Sequence, residues 1–126
     1  DQGARERTFL ESLTHPRIAE HLLTQAEEGA KAGKSVAIID AALLFEAGWN
    51  RFCGLIVFVD APRDVRLARA AKRGWSEKDF TDRERAQLSV NFKRERADEV
   101  IDNSGSLGYV RSQVERLWRA RLGTNE

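Results

Sequence analysis

The ten residues "CGLIVFVDAP", Cys53 to Pro62, decide the fold. Leu55 to Val59 is an unbroken apolar run rich in β-branched and aromatic side chains, too short for a helix. It ends in Asp60, and Pro62 is well placed to open a helix because its fixed φ suits a first turn. A run with no apolar–polar alternation is the mark of a parallel strand covered on both faces.

Two other stretches have the same character. "SVAIID", Ser35 to Asp40, is apolar until its terminal carboxylate, and "EVID", Glu99 to Asp102, is a shorter version followed by the turn signal Asn103-Ser104-Gly105. Between them the pattern changes to helical. Thr14-His15-Pro16 predicts a helix entry, with Ile18, Leu22, Leu23 and Ala26 on one inward face and the preceding Asp1–Arg7 frayed. The glycines of "GAKAGKS" end that helix. Another helix runs from Pro62 to about Arg73, where Gly74 stops it. Ser76-Glu77-Lys78-Asp79 predicts a capping box that opens a charged helix pair reaching about Ala97. A last helix, about Leu107 to Leu122, is expected to turn Leu107, Val110, Val114, Leu117 and Trp118 inward. Strands alternating with helices make the class α/β, with helices on both faces of a parallel sheet.

The totals exclude several roles. A net charge of +1 exerts no global pull on nucleic acid or anionic membrane. The 21 basic residues are nonetheless 16 Arg and 5 Lys, and Arg is the better fork for phosphate, although coding bias gives the same skew. The single cysteine, Cys53, rules out an internal disulfide and fits a cytoplasmic setting. It reads as a structural thiol. No apolar run approaches a membrane span. The chain contains no Met, which points to a missing amino terminus.

Candidate chemistry begins with Asp40. A carboxylate at the carboxyl end of a strand lies at the rim where α/β sheets bind ligands, and there it either holds Mg²⁺ or caps the next turn. Arg66, Arg69 and Arg73 share one helix face; they would grip an anion or form a solvated basic face. The charged segment 74–97 suits a mobile lid or a plain surface helix. His15 and His21 are off-register for a metal pair. Neither G-x-x-x-x-G-K-[ST] nor G-x-G-x-x-G occurs, so these residues supply no phosphate-cradling loop of those kinds.

Taken in order, "LESLTHPRI", "IIDAALLFEAG", "VFVDAP", Arg69 with Arg73, "GWSEKDFTDR", Gln87, Lys93 and "RADEVIDNSGS" resemble the dephospho-CoA kinase family from about Leu10 to Trp118. The resemblance implies a P-loop kinase fold, a parallel sheet in the order 2-3-1-4-5. Ser35–Asp40, Leu55–Asp60 and Glu99–Asp102 would be strands 3, 4 and 5, and strands 1 and 2 would be missing. Residues 1–126 would then be the carboxyl-terminal portion of one kinase domain, with 15–33 a substrate-side helix and 74–97 a lid.

The resemblance implies ATP and dephospho-CoA as substrates, Mg²⁺ as cofactor, and no nucleic-acid or membrane partner. Arg69, Arg73 and Asn103 would bind ATP. His15, Pro16, Leu43, Leu44, Glu46, Arg83, Gln87 and Lys93 would serve the acceptor side, and Asp40 the metal. The phosphate loop and the catalytic residue would lie upstream of Asp1. These 126 residues alone are therefore expected to fold poorly and to be inactive. Two departures stand out: Ala42 replaces the family's usual Pro, and one residue is missing between Arg73 and Gly74. Two competing readings remain, another P-loop nucleoside or nucleotide kinase and a non-catalytic Arg-rich module binding RNA or protein.

Overall fold

The computed structural model describes residues 2–123. They form two compact units, divided after Trp49.

The first unit is dominated by α1, Gln2–Lys31, which contains Pro16 in its interior. The expected helix entry at Thr14–Pro16 is therefore corrected: the helix begins at least twelve residues earlier, and Gln2–Arg7 is helical. Side-chain back-bonding makes its polar residues tolerable. Thr8 Oγ1 donates to Ala4 O (2.9 Å) and Thr14 Oγ1 to Leu10 O (2.9 Å). Leu22 and Ala26 do lie on the covered side with Ala19, but Ile18 and Leu23 are exposed.

The helix ends as the glycines predicted. Gly33 takes φ +77°, Lys34 N–H reaches Gly29 O (2.9 Å) and Gly33 N–H reaches Ala30 O (3.0 Å). This crossed pair is a Schellman stop, which needs the left-handed backbone that glycine adopts without cost.

Ser35–Asp40, expected as a strand, forms no strand here. The segment is outside any sheet and Ile38 is 79% exposed. A strand exists through its ladder, and among the described residues none pairs with this one. "LLFEAG" then folds into a compact turn, with Ala47 N–H on Leu43 O (2.9 Å) and a second crossed stop at Gly48. A 3₁₀ turn, Trp49–Phe52, follows.

The second unit holds the sheet. β1, Val57–Asp60, and β2, Glu99–Asp102, pair in parallel, with Asp60 opposite Asp102. The sheet of the described residues thus has two strands, not the three that the sequence suggests. Below β1 the ladder is extended by Asp98, which donates its N–H to Ile56 O (2.9 Å) and accepts Ile56 N–H on Oδ2 (2.7 Å).

α2, Arg63–Lys72, ends in a third Schellman stop at Gly74 (φ +85°). α3, Glu77–Arg85, begins with the predicted capping box between Ser76 and Asp79. α4, Val90–Glu95, is capped by Ser89 Oγ on Phe92 N–H (3.1 Å). α5, Leu107–Leu117, continues into a π turn, Trp118–Leu122.

Its inward face differs from expectation. Leu107, Val114 and Trp118 are exposed, whereas Val110, Gln113 and Leu117 are half-buried. Helical rotation puts these three, at i, i+3 and i+7, on one side, the side that faces β2. Val59 (56% exposed) and Val100 (47%) project from opposite faces of the sheet. The full cover implied by non-alternating strands is therefore not supplied by the described residues. The buried core is small: Ala61, Ala70, Phe80, Ile101 and the aliphatic stem of Lys93 in this unit.

Candidate functional site

The arginine face of α2 is not a free basic patch. Arg63 Nε and Arg66 Nη2 both donate to the carboxylate of Glu84, at 3.0 and 2.8 Å. Arg63 also reaches Thr81 Oγ1 (3.0 Å), and Arg66 Nε reaches Ala61 O (3.1 Å). Both guanidinium groups lie over the ring of buried Phe80, at 5.3 and 5.5 Å. α3 is thereby fixed to α2 by one carboxylate, one hydroxyl and one aromatic ring. The sequence shows nothing that singles out Glu84 among its many charged neighbours; only tertiary contact does.

Partial burial alone would raise the carboxyl of Glu84, but the two guanidinium hydrogen bonds outweigh it and hold the group below the usual glutamate range. A depressed folded-state pKa contributes stability that is present above the unfolded value and is lost as pH falls through the folded one. The α2–α3 junction is therefore expected to loosen on acidification below the ordinary glutamate range. Glu84→Gln should flatten that part of the stability–pH curve. An unchanged acid limb in the variant, followed by circular dichroism, would remove Glu84 from this role.

Arg69 behaves differently from Arg66. Its Nη1 donates to the backbone carbonyl of Asn103 (2.7 Å) in a half-buried setting. The bond joins α2 to the turn after β2, across 34 positions of sequence. That turn is tightly specified. Asn103 N–H continues the ladder onto Asp60 O (2.7 Å). Asp102 Oδ1 accepts Ser104 N–H (2.8 Å), and hydrogen bonding from Ser104 holds the Asp102 carboxyl below the usual aspartate range. Arg73, the third member of the predicted face, caps the exposed end of α2. Asp60, at the end of β1, pairs with Arg94 of α4.

Within residues 74–97, Lys93 Nζ donates to Gln87 Oε1 (2.9 Å), so the structure brings together two residues predicted for one role. Arg83 does not join them; it stacks on Trp75 at 4.2 Å. An open pocket of about 410 Å³ is walled by Arg66, Glu84, Arg85, Gln87 and Ser89 among others. Its lining carries both charge signs and amide groups.

In the first unit, His15 is half-buried and meets the edge of the Trp49 ring at 5.4 Å, while Pro16 is exposed. Leu43, Leu44 and Glu46 lie half-buried together on the turn that Gly48 closes. Asp40 is exposed at the end of residues 35–40, which lie outside any sheet. Among the described residues there is no cluster of three or more side chains that could hold a metal ion. A lone carboxylate is still compatible with Mg²⁺, which takes one or two carboxylates and completes its shell with water and substrate phosphate. Cys53 is half-buried, and burial pushes its thiol up, away from the reactive thiolate. No helix among the described residues is long and apolar enough to cross a membrane.

Comparison with known proteins bears on this geometry. A family model described as dephospho-CoA kinase matches residues 2–108. A dephospho-CoA kinase of Symbiobacterium thermophilum is 38% identical over 120 residues, which cover 93% of this chain and 49% of that protein. One of Corynebacterium efficiens is 38% identical over 116 residues, 91% of this chain and 58% of that protein. The chain spans about half the length of the curated relatives it matches. A crystal structure from Thermus thermophilus superimposes with a TM-score of 0.70 at 27% identity, covering 95% of this chain and 62% of that one. A dephospho-CoA kinase from Campylobacter jejuni gives 0.60 at 24% identity, over 95% of this chain and 59% of that one, a likeness of fold.

Proposed function

The chain belongs to the dephospho-CoA kinase family, and from that premise we propose that it is the carboxyl-terminal part of an enzyme that makes coenzyme A. That enzyme transfers the γ-phosphoryl group of ATP to the 3′-hydroxyl of the ribose of dephospho-CoA. The observation that carries the proposal is the hydrogen bond from Arg69 to the Asn103 carbonyl. It unites two motifs, far apart in sequence, that were each assigned to ATP. Phosphoryl transfer asks the protein chiefly for positioning and fixed positive charge, and an Arg anchored at one nitrogen keeps its remaining donors available in a set direction.

In this reading β1 and β2 take the fourth and fifth places in a parallel sheet ordered 2-3-1-4-5, which fits their direct pairing. Ser35–Asp40 is strand 3 of that order, whose place is beside strand 1 and strand 2. Arg73 adds a second charge at the ATP phosphates, and Asn103 borders the adenine. The acceptor side comprises His15, Pro16, Leu43, Leu44 and Glu46 together with Arg83, Gln87 and Lys93 of the lid segment. Asp40 helps to hold Mg²⁺, which when bound neutralises phosphate charge. The Gly-rich phosphate loop and the catalytic residue are supplied from outside these 126 residues, which alone are inactive. The cytoplasm, where ATP is available, is the proposed setting.

The occupied arginines favour this reading over a nucleic-acid module, since Arg63 and Arg66 already share a carboxylate. The full-length protein that carries this chain should convert dephospho-CoA and ATP to coenzyme A and ADP, read by chromatography of the products. Transfer to a nucleoside or nucleotide in preference to dephospho-CoA would overturn the acceptor assignment.

A further inference from the structure

We propose that Gln113 is a positioning residue for the nucleotide, acting through the turn that holds Arg69; this rests on the ATP reading given above. The side-chain amide of Gln113 meets one residue of β2 at both of its backbone polar groups. Oε1 accepts Asp102 N–H (2.9 Å), and Nε2 donates to Asp102 O (2.8 Å).

Strand geometry explains why this residue is the one clamped. Along a strand, successive peptide groups point to alternate sides. Asn103 N–H points to β1, where it meets Asp60 O (2.7 Å), so Asp102 presents its N–H and carbonyl to the opposite edge. No second strand lies there among the described residues. The carboxamide of Gln113 carries one donor and one acceptor in a plane, like a peptide group, and takes the place of a neighbouring strand. Nε2 also reaches back toward Tyr109 O in its own helix (3.3 Å), which fixes its rotamer.

The consequence reaches Arg69 by direct connection. Asn103 follows Asp102 immediately and is held at its N–H by Asp60 and at its carbonyl by Arg69. Gln113 grips the preceding residue from one side and β1 grips Asn103 from the other. The Asn103 carbonyl therefore has one position, and Arg69 has one anchor. Gln113 itself touches neither Arg69 nor Asn103 in any hydrogen bond of the structure; its effect passes through the backbone.

The test uses the full-length protein with ATP and dephospho-CoA. Gln113→Ala should raise KM for ATP about 10-fold, the scale of two lost hydrogen bonds. KM for dephospho-CoA should stay within about 2-fold, and kcat should fall with the ATP effect, because a loosened Arg69 also serves the transition state less well. Gln113→Glu keeps the length and one acceptor but turns a carboxylate oxygen toward Asp102 O, so its effect should equal or exceed that of alanine, and it carries the test if the alanine variant does not fold. Amide exchange at Asp102 to Ser104 should quicken in step. Equal losses for both substrates, or faster exchange with unchanged KM for ATP, would overturn the positioning role and leave Gln113 merely structural. Failure of the wild-type protein to use ATP and dephospho-CoA at all would instead overturn the functional reading on which it rests.

Discussion

Arg69→Ala, introduced into the full-length protein, is expected to lower kcat/KM for ATP by on the order of 100- to 1000-fold, the loss seen when one fixed transition-state donor is removed. The expectation follows from how the side chain is held. One guanidinium nitrogen is committed to the Asn103 carbonyl (2.7 Å). This bond limits the rotamers of a long side chain and leaves the other donors pointing in a set direction. In a loose transition state charge is spread over the three equatorial oxygens of the transferred phosphoryl group, and a positioned cation meets it without reorganisation. Arg69→Lys separates charge from geometry. An ammonium group that occupies the Asn103 carbonyl has no second, coplanar donor to offer, so most of the loss should persist. Alanine should change stability far less than turnover, because the bond removed is half-buried and its carbonyl acceptor keeps access to water. A variant within 3-fold of wild type would take Arg69 out of the chemistry.

Phe80→Ala should be the most destabilising single change in the second unit, by about 3 to 5 kcal/mol for a buried aromatic truncated to a methyl group. Phe80 is 8% exposed and is one of few buried apolar side chains among the described residues. Its ring also carries the guanidinium groups of Arg63 and Arg66, at 5.3 and 5.5 Å, and each contact adds about 0.5 to 1 kcal/mol. Removing the ring leaves a void under the ion pairs that tie α3 to α2. Phe80→Leu should recover part of the loss by refilling volume without restoring the cation contacts. Denaturant titration and amide exchange of residues 77–85 measure the effect. If both match wild type, Phe80 is not the keystone of this junction.

Local chemistry made much of the fold legible. The stops at Gly33 and Gly74 were readable because a left-handed C-terminal residue nearly demands glycine, and the capping box at Ser76 because its two partners are three residues apart. "EVID" and the run ending at Asp60 were readable as strands because they are short, apolar and bounded by turn residues. Ser35–Asp40 has the same composition yet pairs with nothing among the described residues. Composition marks a segment as fit for a sheet, but a ladder needs a second backbone. The start of α1 was misread because Pro16 resembles a first-turn proline, and a helix interrupted by proline has the same local sequence.

The candidate site divides in the same way. Motif order brought Arg69 and Asn103 into one set, and Gln87 and Lys93 into another, and each pair meets in space. Glu84 and Gln113 stayed hidden because their partners are tertiary. A trace of Gln113 was present: it is the polar member of the half-buried row with Val110 and Leu117, and a polar side chain in such a row needs a partner.

Pro16 also divides the long first helix mechanically. At 30 residues α1 is about 45 Å long, and proline has no N–H to give the carbonyl four positions back, that of Ser12. Cooperative unwinding is transmitted along the chain of backbone bonds, so a gap in that chain is a firebreak. The stretch before it exposes Phe9, Leu10 and Leu13, whereas the stretch after it carries Ala19, the helix's one buried residue. Unwinding that starts before Pro16 can therefore halt at the proline, sparing the half that the tight turn at Gly33 secures.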